Sequence, residues 1–140
     1  MRPQALVMEY AELERELSAL LEERKHQPEY LQWLIVKAGR RLLLLDVAGI
    51  IWLEAHGNYV RVHHEQGSHL LRQSMSSLEH QLNPRHFLRI RRSVMVRIDR
   101  IKELQRWLHG EYLVILQNGT QLMLTRSYRS RLLATIGQLL

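Results

Sequence analysis

The sequence predicts a mainly β region that follows one N-terminal α-helix. After residue 30, short apolar runs alternate with polar residues, and turn signals separate them at intervals of about eight to twelve residues. The strongest of these signals is Asn118-Gly119, because Asn-Gly suits the backbone angles of a two-residue hairpin turn. Together these observations indicate an all-β sandwich or barrel-like fold.

Each element of this region follows from its local pattern. The expected strands are residues 32–37, 41–45, 50–55, 59–63, 87–90, 98–108, 111–116 and 121–124. Two helices are expected, at residues 76–82 and 127–140, and Asn83-Pro84 ends the first. The core face of the second is predicted to hold Leu132, Leu133, Ile136 and Leu139.

Residues 5–26 are predicted to form the N-terminal helix, which Pro28 ends. Its apolar residues alternate spacings of four and three, as in a coiled-coil seam. They are Leu6, Tyr10, Leu13, Leu17 and Leu20. Two interpretations stay open: an amphipathic helix folded onto its own domain, or a helix that forms a homodimer or links the domain to a sensor. We therefore divide the chain into a helix and linker, residues 1–30, and a domain, residues 31–140.

Charge divides the chain at nearly the same place. Residues 1–36 hold four Lys or Arg against seven Asp or Glu, whereas residues 37–140 hold sixteen against seven. A basic domain predicts a polyanionic partner. The chain has no cysteine, which excludes disulfides and suits a reducing cytoplasm. Its longest apolar run, residues 42–53, contains Asp46 and is too short to span a membrane. We expect a cytoplasmic protein.

The densest basic segment covers residues 87–100, where five arginines alternate with apolar residues. They are Arg89, Arg91, Arg92, Arg97 and Arg100, against the single acid Asp99. We expect the apolar residues to fix the segment to a core while the guanidinium groups project outward to duplex DNA, where each neutralised phosphate releases counterions. Ser93 adds a hydroxyl that can bond a phosphate. The alternative is a solvated basic strand edge.

Two further polar clusters are candidate contacts. Asn58, Tyr59 and Arg61 follow a turn, where Asn can read adenine and Tyr can contact phosphate. The alternative is a plain turn at Gly57-Asn58 with Tyr59 packed inward. The other of these two, residues 125–131, opens the last helix and includes Arg126, Ser127 and Arg129. A helix start can grip phosphate, and the alternative is ordinary capping by Thr125 or Ser127 with solvated arginines.

Other chemistry finds little support. His63, His64 and His69 could be combined with Glu54 and His56 into a metal site, but adjacent residues of a strand point to opposite faces. No histidine pair has helical ligand spacing, no carboxylate pair has a recognisable catalytic setting, and no phosphate-binding glycine loop occurs. We expect no metal, no cofactor and no enzymatic activity.

Residues 46–60, 87–101 and 116–128 together resemble the LytTR family of DNA-binding domains. The shared features are Leu53-Glu54-Ala55 with Asn58-Tyr59-Val60, Arg92-Ser93 within its apolar surroundings, and Asn118-Gly119 followed by Thr125-Arg126. The likeness covers about 105 residues. It implies about ten short antiparallel strands in small packed sheets with short helices, and loops that enter successive major grooves of duplex DNA.

Carried over by position, the resemblance places the contacts at the Asn58-Tyr59 turn, at residues 89–93 and at residues 126–129. It leaves base reading to Asn58, Arg91 or Arg92. Three positions depart from the family pattern: Arg91 replaces a histidine, Arg97 an asparagine and Thr125 a serine. These changes retain or increase basicity, so they put the preferred DNA sequence in doubt more than binding itself.

The family usually joins this domain to a phospho-receiver or a membrane sensor, and the sequence shows neither. We therefore expect either a stand-alone transcription regulator or a piece of a longer one. Two other functions stay open. One is a protein-interaction module that uses residues 5–26 and has degenerate DNA binding. The other is an RNA-binding domain, which needs exposed stacking aromatics. It is disfavoured because Trp33, Trp52 and Trp107 lie amid apolar strands.

Overall fold

The computed structural model describes residues 3–26 and 29–139. Over these residues ten strands form three antiparallel sheets, accompanied by three α-helices and four short 3-10 turns. The predicted mainly β class, with an N-terminal helix, is confirmed. The strands are β1 (Trp33–Ala38), β2 (Arg41–Asp46), β3 (Ile50–His56), β4 (Tyr59–His64), β5 (Gly67–Leu71), β6 (Phe87–Arg91), β7 (Val94–Arg97), β8 (Ile101–Arg106), β9 (Tyr112–Leu116) and β10 (Gln121–Leu124). The helices are α1 (Pro3–His26), α2 (Met75–Gln81) and α3 (Arg129–Leu139), and the 3-10 turns cover Val47–Gly49, Ile98–Arg100, Leu108–Gly110 and Arg126–Tyr128.

A five-stranded sheet with the order β5-β4-β3-β7-β6 is the centre of the domain. On β3, Leu53 lies opposite Val62 of β4 on one side and opposite Met95 of β7 on the other. All neighbouring strands are antiparallel, so the β3–β4 turn and the β6–β7 turn lie at the same end of the strands. We call this end of the sheet the turn end. The opposite end, where β3 begins and β7 ends, is called the far end.

Two apolar cores cover the faces of this sheet. The first lies between one face, the β1–β2 hairpin and α2, and it buries Leu53 and Met95. The second lies between the other face, the β8–β10 sheet and α3, and it buries Ile90 and Leu132. Each buried side chain of this size contributes roughly 1.5–3 kcal/mol. A one-residue slip of β6 or β7 would exchange the two faces, so the cores fix the register that aligns the turns.

The structure differs from the sequence prediction in several strands. β5 and β7 were not predicted, because Gly67–Leu71 lacks clear alternation and Val94–Arg97 is only four residues long. The strand expected from residue 98 begins at Ile101 instead, after a 3-10 turn. In α3, which begins at Arg129 after another 3-10 turn, Leu132 is fully buried but Leu133 is 43% exposed. Leu133 is therefore wrong as a predicted core residue.

α1 exposes the described part of its apolar seam. Its described side chains Tyr10, Leu13, Leu17 and Leu20 are all more than half exposed. The interpretation that this helix folds its seam onto its own domain is not supported by these four positions. The side chains of Leu6 and Leu139, together with Pro28 and Leu140, lie outside the described residues. Over the described part of the chain, no helix combines the length and apolar character needed to cross a membrane.

One buried polar group fixes the start of β3. The ring of His64 is almost fully buried, and its Nδ1 accepts a hydrogen bond from the Gln66 N–H at 3.1 Å. Nε2 therefore carries the proton, and it donates to the Asp46 carbonyl at 2.9 Å and the Asp46 carboxylate at 2.8 Å. The ring lies against Gly49, where a Cβ atom would meet His64 Nε2 at 2.5 Å. Only glycine fits between β2 and β3 at this point.

Substitution of Gly49 by alanine should therefore destabilise the domain by about 1–3 kcal/mol, because the added methyl group displaces a buried and fully bonded histidine. The free energy of unfolding in urea measures the effect. Gly137→Ala is the matched control, since a Cβ atom at this α3 position meets no atom within 4 Å. It should leave stability equal or slightly higher. Equal stability of the two variants would contradict the role assigned to Gly49.

Candidate nucleic-acid interface

The cluster at Asn58 and Tyr59 and the Arg92-Ser93 part of the basic segment, here called the first and second clusters, meet at the turn end. Gly57 adopts φ 62°, which closes the β3–β4 turn and leaves Asn58 exposed and Tyr59 42% exposed. The alternative that Tyr59 packs inward is therefore wrong. On the neighbouring strands, the Ala55 N–H donates to the Ser93 carbonyl at 2.8 Å. This bond joins the β3–β4 turn to the β6–β7 turn, whose Arg92 and Ser93 side chains are exposed.

The third cluster, residues 125–131, lies beside the second. The Thr125 N–H donates to the Ile90 carbonyl at 3.0 Å, so the segment that opens α3 lies next to the last residues of β6. Arg126 and Ser127 are exposed, and Arg129 is half-buried. No side chain of Thr125 caps the 3-10 turn that begins here, so capping by Thr125 does not explain the cluster. The turn residues Asn58 and Arg92 and the start of α3 thus lie together at one end.

Arg91 lies within this group but is only partly exposed. A register shift between Arg89 and Arg91 interrupts the pairing of β6 with β7, and such bulges re-aim side chains. Over the described residues, the buried Nε of Arg91 has no hydrogen-bond partner. A buried guanidinium donor without a partner carries a desolvation cost.

Arg89 has a different role from the one predicted. Its Nε donates to the Arg92 carbonyl at 3.0 Å, and its Nη1 donates to the Glu79 carboxylate of α2 at 3.2 Å. The side chain is 13% exposed. Its guanidinium therefore faces the protein and not the solvent, and it ties the β6–β7 turn to α2. The prediction that Arg89 projects outward is wrong.

Arg97 and Arg100 lie at the far end, away from the three clusters. Arg97 donates to the Asp99 carboxylate at 2.9 Å and to the Val47 carbonyl at 3.1 Å, and its guanidinium lies 5.5 Å from the centre of the Phe87 ring. Arg100 donates to the Ala48 carbonyl at 3.0 Å. Both side chains are less than a quarter exposed. The outward projection predicted for them is also wrong, because both guanidinium groups bond to acceptors within this chain.

Arg61 lies near the turn end, on the face of β4 opposite to the buried Val60 and Val62. Its Nε lies 3.7 Å from the Glu54 carboxylate, which also accepts a hydrogen bond from Nε2 of His63 at 2.9 Å. The His63 ring stacks on Trp52 with 4.0 Å between centroids. His64 points to the opposite face, as strand geometry predicts. Over the described residues, no three histidine, aspartate or glutamate side chains gather in a way that could hold a metal ion.

The sequence prediction missed Arg72 at this end. Leu71 of β5 pairs with Val60 of β4, so Arg72 lies next to Tyr59 at the turn end. Both line a groove of about 530 Å³ that also includes Lys37 of β1. The turn at residues 65–67 could have revealed this arrangement, but only if β5 had been recognised as the second strand of that hairpin.

Two tryptophans are also more exposed than the sequence suggested. Trp33 is 56% exposed and Trp107 is 52% exposed, so the expectation that all three tryptophans lie in apolar surroundings is wrong. They do not form one stacking surface, however. Trp33 starts β1 opposite Asp46, toward the far end. Trp107 follows β8, which belongs to the three-stranded sheet.

The geometry of Arg89 predicts a stability effect that separates it from Arg92. Arg89→Gln should lower the free energy of unfolding by about 1–3 kcal/mol, because the Arg92 carbonyl and Glu79 lose a charged donor. Arg92→Gln is the matched control and should change it by less than about 0.5 kcal/mol, since its side chain is exposed. Urea unfolding of both variants measures this difference, and an equal loss in both would contradict the assignment.

Comparison with known proteins gives consistent results. The LytTr DNA-binding domain family matches residues 40–137. The transcriptional regulatory protein LytR of Staphylococcus aureus (strain N315) is 32% identical over 108 residues, which cover 77% of this chain and 44% of that protein. The CO-responsive transcriptional regulator RcoM of Rhodospirillum rubrum is 34% identical over 92 residues, covering 66% of this chain and 39% of that protein. The chain thus spans less than half the length of these curated relatives.

A solved structure supports the same fold. A LytTr DNA-binding domain from Bacillus cereus superposes with a TM-score of 0.70 at 22% identity, and the match covers 76% of this chain and 98% of that one. The two matching regions therefore share the same architecture. The family match extends from the turn between β1 and β2 into α3 and includes all three polar clusters. The chain belongs to the LytTr DNA-binding domain family.

Proposed function

We propose that this chain binds duplex DNA sequence-specifically through the turn end and regulates transcription. The observation that carries the proposal is the convergence of three separate polar clusters. Asn58, Arg92 and Arg126 lie far apart in sequence, yet backbone hydrogen bonds place their segments side by side. An exposed row of guanidinium, amide and hydroxyl groups matches the phosphates and base edges of a duplex.

Within this row we assign different contacts to different residues. Asn58 and Arg92 are exposed at the tips of adjacent turns, so they are the candidates for reading base edges in the major groove. Tyr59, Ser93 and Arg126 lie beside them and are assigned to the phosphate backbone, as are Arg91, Ser127 and Arg129. Arg72 and Lys37 extend the same row past Tyr59.

The remaining predicted contacts are assigned to the protein itself. Arg89 and Arg97 already donate to carbonyl and carboxylate oxygens of this chain. Arg61 lies 3.7 Å from the Glu54 carboxylate of this chain. Breaking such bonds to reach a phosphate would leave their partners unsatisfied. The proposed interface therefore excludes Arg89 and Arg97.

DNA binding can be tested by fluorescence anisotropy with random duplex, single-stranded DNA and RNA across salt concentrations. We expect preferential duplex binding, with a salt slope that corresponds to about five to eight phosphates. Arg92→Ala should weaken binding to the preferred duplex by about ten- to a hundredfold if Arg92 reads a guanine. Lys102→Ala is the control of equal charge, because Lys102 is exposed near the start of β8, toward the far end. It should weaken binding by less than about twofold.

Absence of duplex binding at low salt would overturn the proposed function. An equal loss for Arg92→Ala and Lys102→Ala would instead show that only total charge matters, and it would contradict the placement of the interface at the turn end. A uniform loss for Arg92→Ala across unrelated duplex sequences would make Arg92 a phosphate contact and not a base reader.

We also propose that residues 5–26 pair with the same segment of a second copy. The support is the exposed seam of α1, whose residues Leu13 and Leu17 are 54% and 58% exposed. Heptad-spaced apolar side chains of this kind lose their contact with water when two helices pair. A dimer would present two turn ends to two half-sites on one duplex.

Sedimentation equilibrium of the full chain tests the pairing. We expect a mass that approaches the dimer as concentration rises, and the double variant Leu13→Ser/Leu17→Ser should remain monomeric at the same concentrations. Glu12→Gln, an exposed position that lies away from the seam in the heptad pattern, is the control and should sediment like the unaltered chain. A monomer mass at every concentration would reject the pairing.

A further inference from the structure

The turn between β8 and β9, residues 107–111, exposes two large apolar side chains side by side. Trp107 is 52% exposed and Leu108 is 66% exposed, and neither belongs to the buried part of the two cores. Adjacent exposed apolar groups at a loop tip keep a patch of apolar surface in water, and such patches commonly mark interaction sites.

The register of the β8–β10 sheet places this turn beside the proposed interface. Arg106 at the end of β8 pairs with Tyr112, and Tyr112 pairs with Leu124 at the end of β10. The β8–β9 turn therefore lies next to the segment that follows β10. At Gly110, a Cβ atom would lie 3.0 Å from Nη1 of Arg129 and 3.4 Å from Cγ of Arg126. The turn thus touches the third polar cluster directly.

The backbone of the turn holds this tip in a defined conformation. The Trp107 N–H donates to the Glu111 carbonyl at 2.9 Å, and the Glu111 N–H donates back to the Leu108 carbonyl at 3.1 Å. His109 adopts φ 57° and Gly110 adopts φ 78°. A left-handed conformation at a residue other than glycine is unfavourable and is retained where its surroundings impose it. The two backbone hydrogen bonds thus define the conformation that presents Trp107 and Leu108 to solvent.

We propose that Trp107 and Leu108 form a fourth contact to the duplex, which rests on the DNA binding proposed above. The tip packs against deoxyribose rings and apolar base edges, such as thymine methyl groups, next to the phosphates bound by Arg126 and Arg129. Its contribution differs in kind from that of the arginines. Burial of apolar surface releases no condensed counterions, so it adds affinity without adding to the salt dependence.

Binding measured by anisotropy over a range of salt concentrations tests this assignment. Trp107→Ala should weaken binding to the preferred duplex about tenfold at every salt concentration, with an unchanged salt slope. Trp33→Ala is the matched control, because Trp33 is 56% exposed but lies toward the far end. It should bind like the unaltered chain. Urea unfolding of both variants confirms that the comparison is between folded proteins.

Tryptophan fluorescence gives a second readout that does not depend on affinity. Addition of saturating duplex should change the emission of the unaltered chain and of Trp33→Phe, and the change should be largely lost in Trp107→Phe. Unaltered affinity and emission response in the Trp107 variants, in a chain that binds duplex, would overturn the fourth contact alone. A loss that comes with a reduced salt slope would overturn its apolar character. Failure of the unaltered chain to bind duplex would overturn the proposed function and this contact with it.

Discussion

Three cross-strand pairs join β3 to β7 at the centre of the domain: Trp52 with Val96, Leu53 with Met95 and Glu54 with Val94. Just beyond them, the Ala55 N–H donates to the Ser93 carbonyl. These strands come from segments about forty residues apart in the chain. Their antiparallel register brings the β3–β4 turn and the β6–β7 turn to the same end of the sheet. The second core then places the β8–β10 sheet and the start of α3 beside them. The relative position of every proposed contact depends on this pairing.

Identical residue types have different roles according to where the strands carry them. Arg89 points toward α2 and stabilises the backbone of the β6–β7 turn, whereas Arg92 projects from that same turn into solvent. Arg97 lies at the other end of β7 and donates to Val47 and Asp99. A count of charges treats these three side chains as equal. Arg89 and Arg97 donate to acceptors within this chain, whereas the Arg92 side chain is exposed. Net charge therefore indicates the kind of partner but not the contact residues.

The sequence allowed the fold class, most strands and the exposure of Asn58, Arg92 and Arg126 to be predicted, because alternation and turn chemistry are local properties. The Gly57-Asn58 and Asn118-Gly119 turns are clear examples. What could not be predicted depends on tertiary partners. The inward role of Arg89 requires Glu79, which belongs to another element, and the placement of Arg72 requires the unrecognised β5. The exposure of Trp107 could not be predicted from its apolar neighbours. Trp107 follows Arg106, the last residue of β8, so it lies in the turn and not inside the strand.

The β6–β7 turn is held by groups other than its exposed side chains. Backbone bonds from Ala55 and the guanidinium of Arg89 fix the Arg92 and Ser93 carbonyls, while the Arg92 and Ser93 side chains face solvent. Thermodynamic stability and ligand preference are therefore encoded at separate positions of one short segment. Substitutions at the tip can accumulate during evolution without loss of folding, as loops on a rigid scaffold generally allow. A single architecture of this kind can diversify into many regulators, each adapted to its own target.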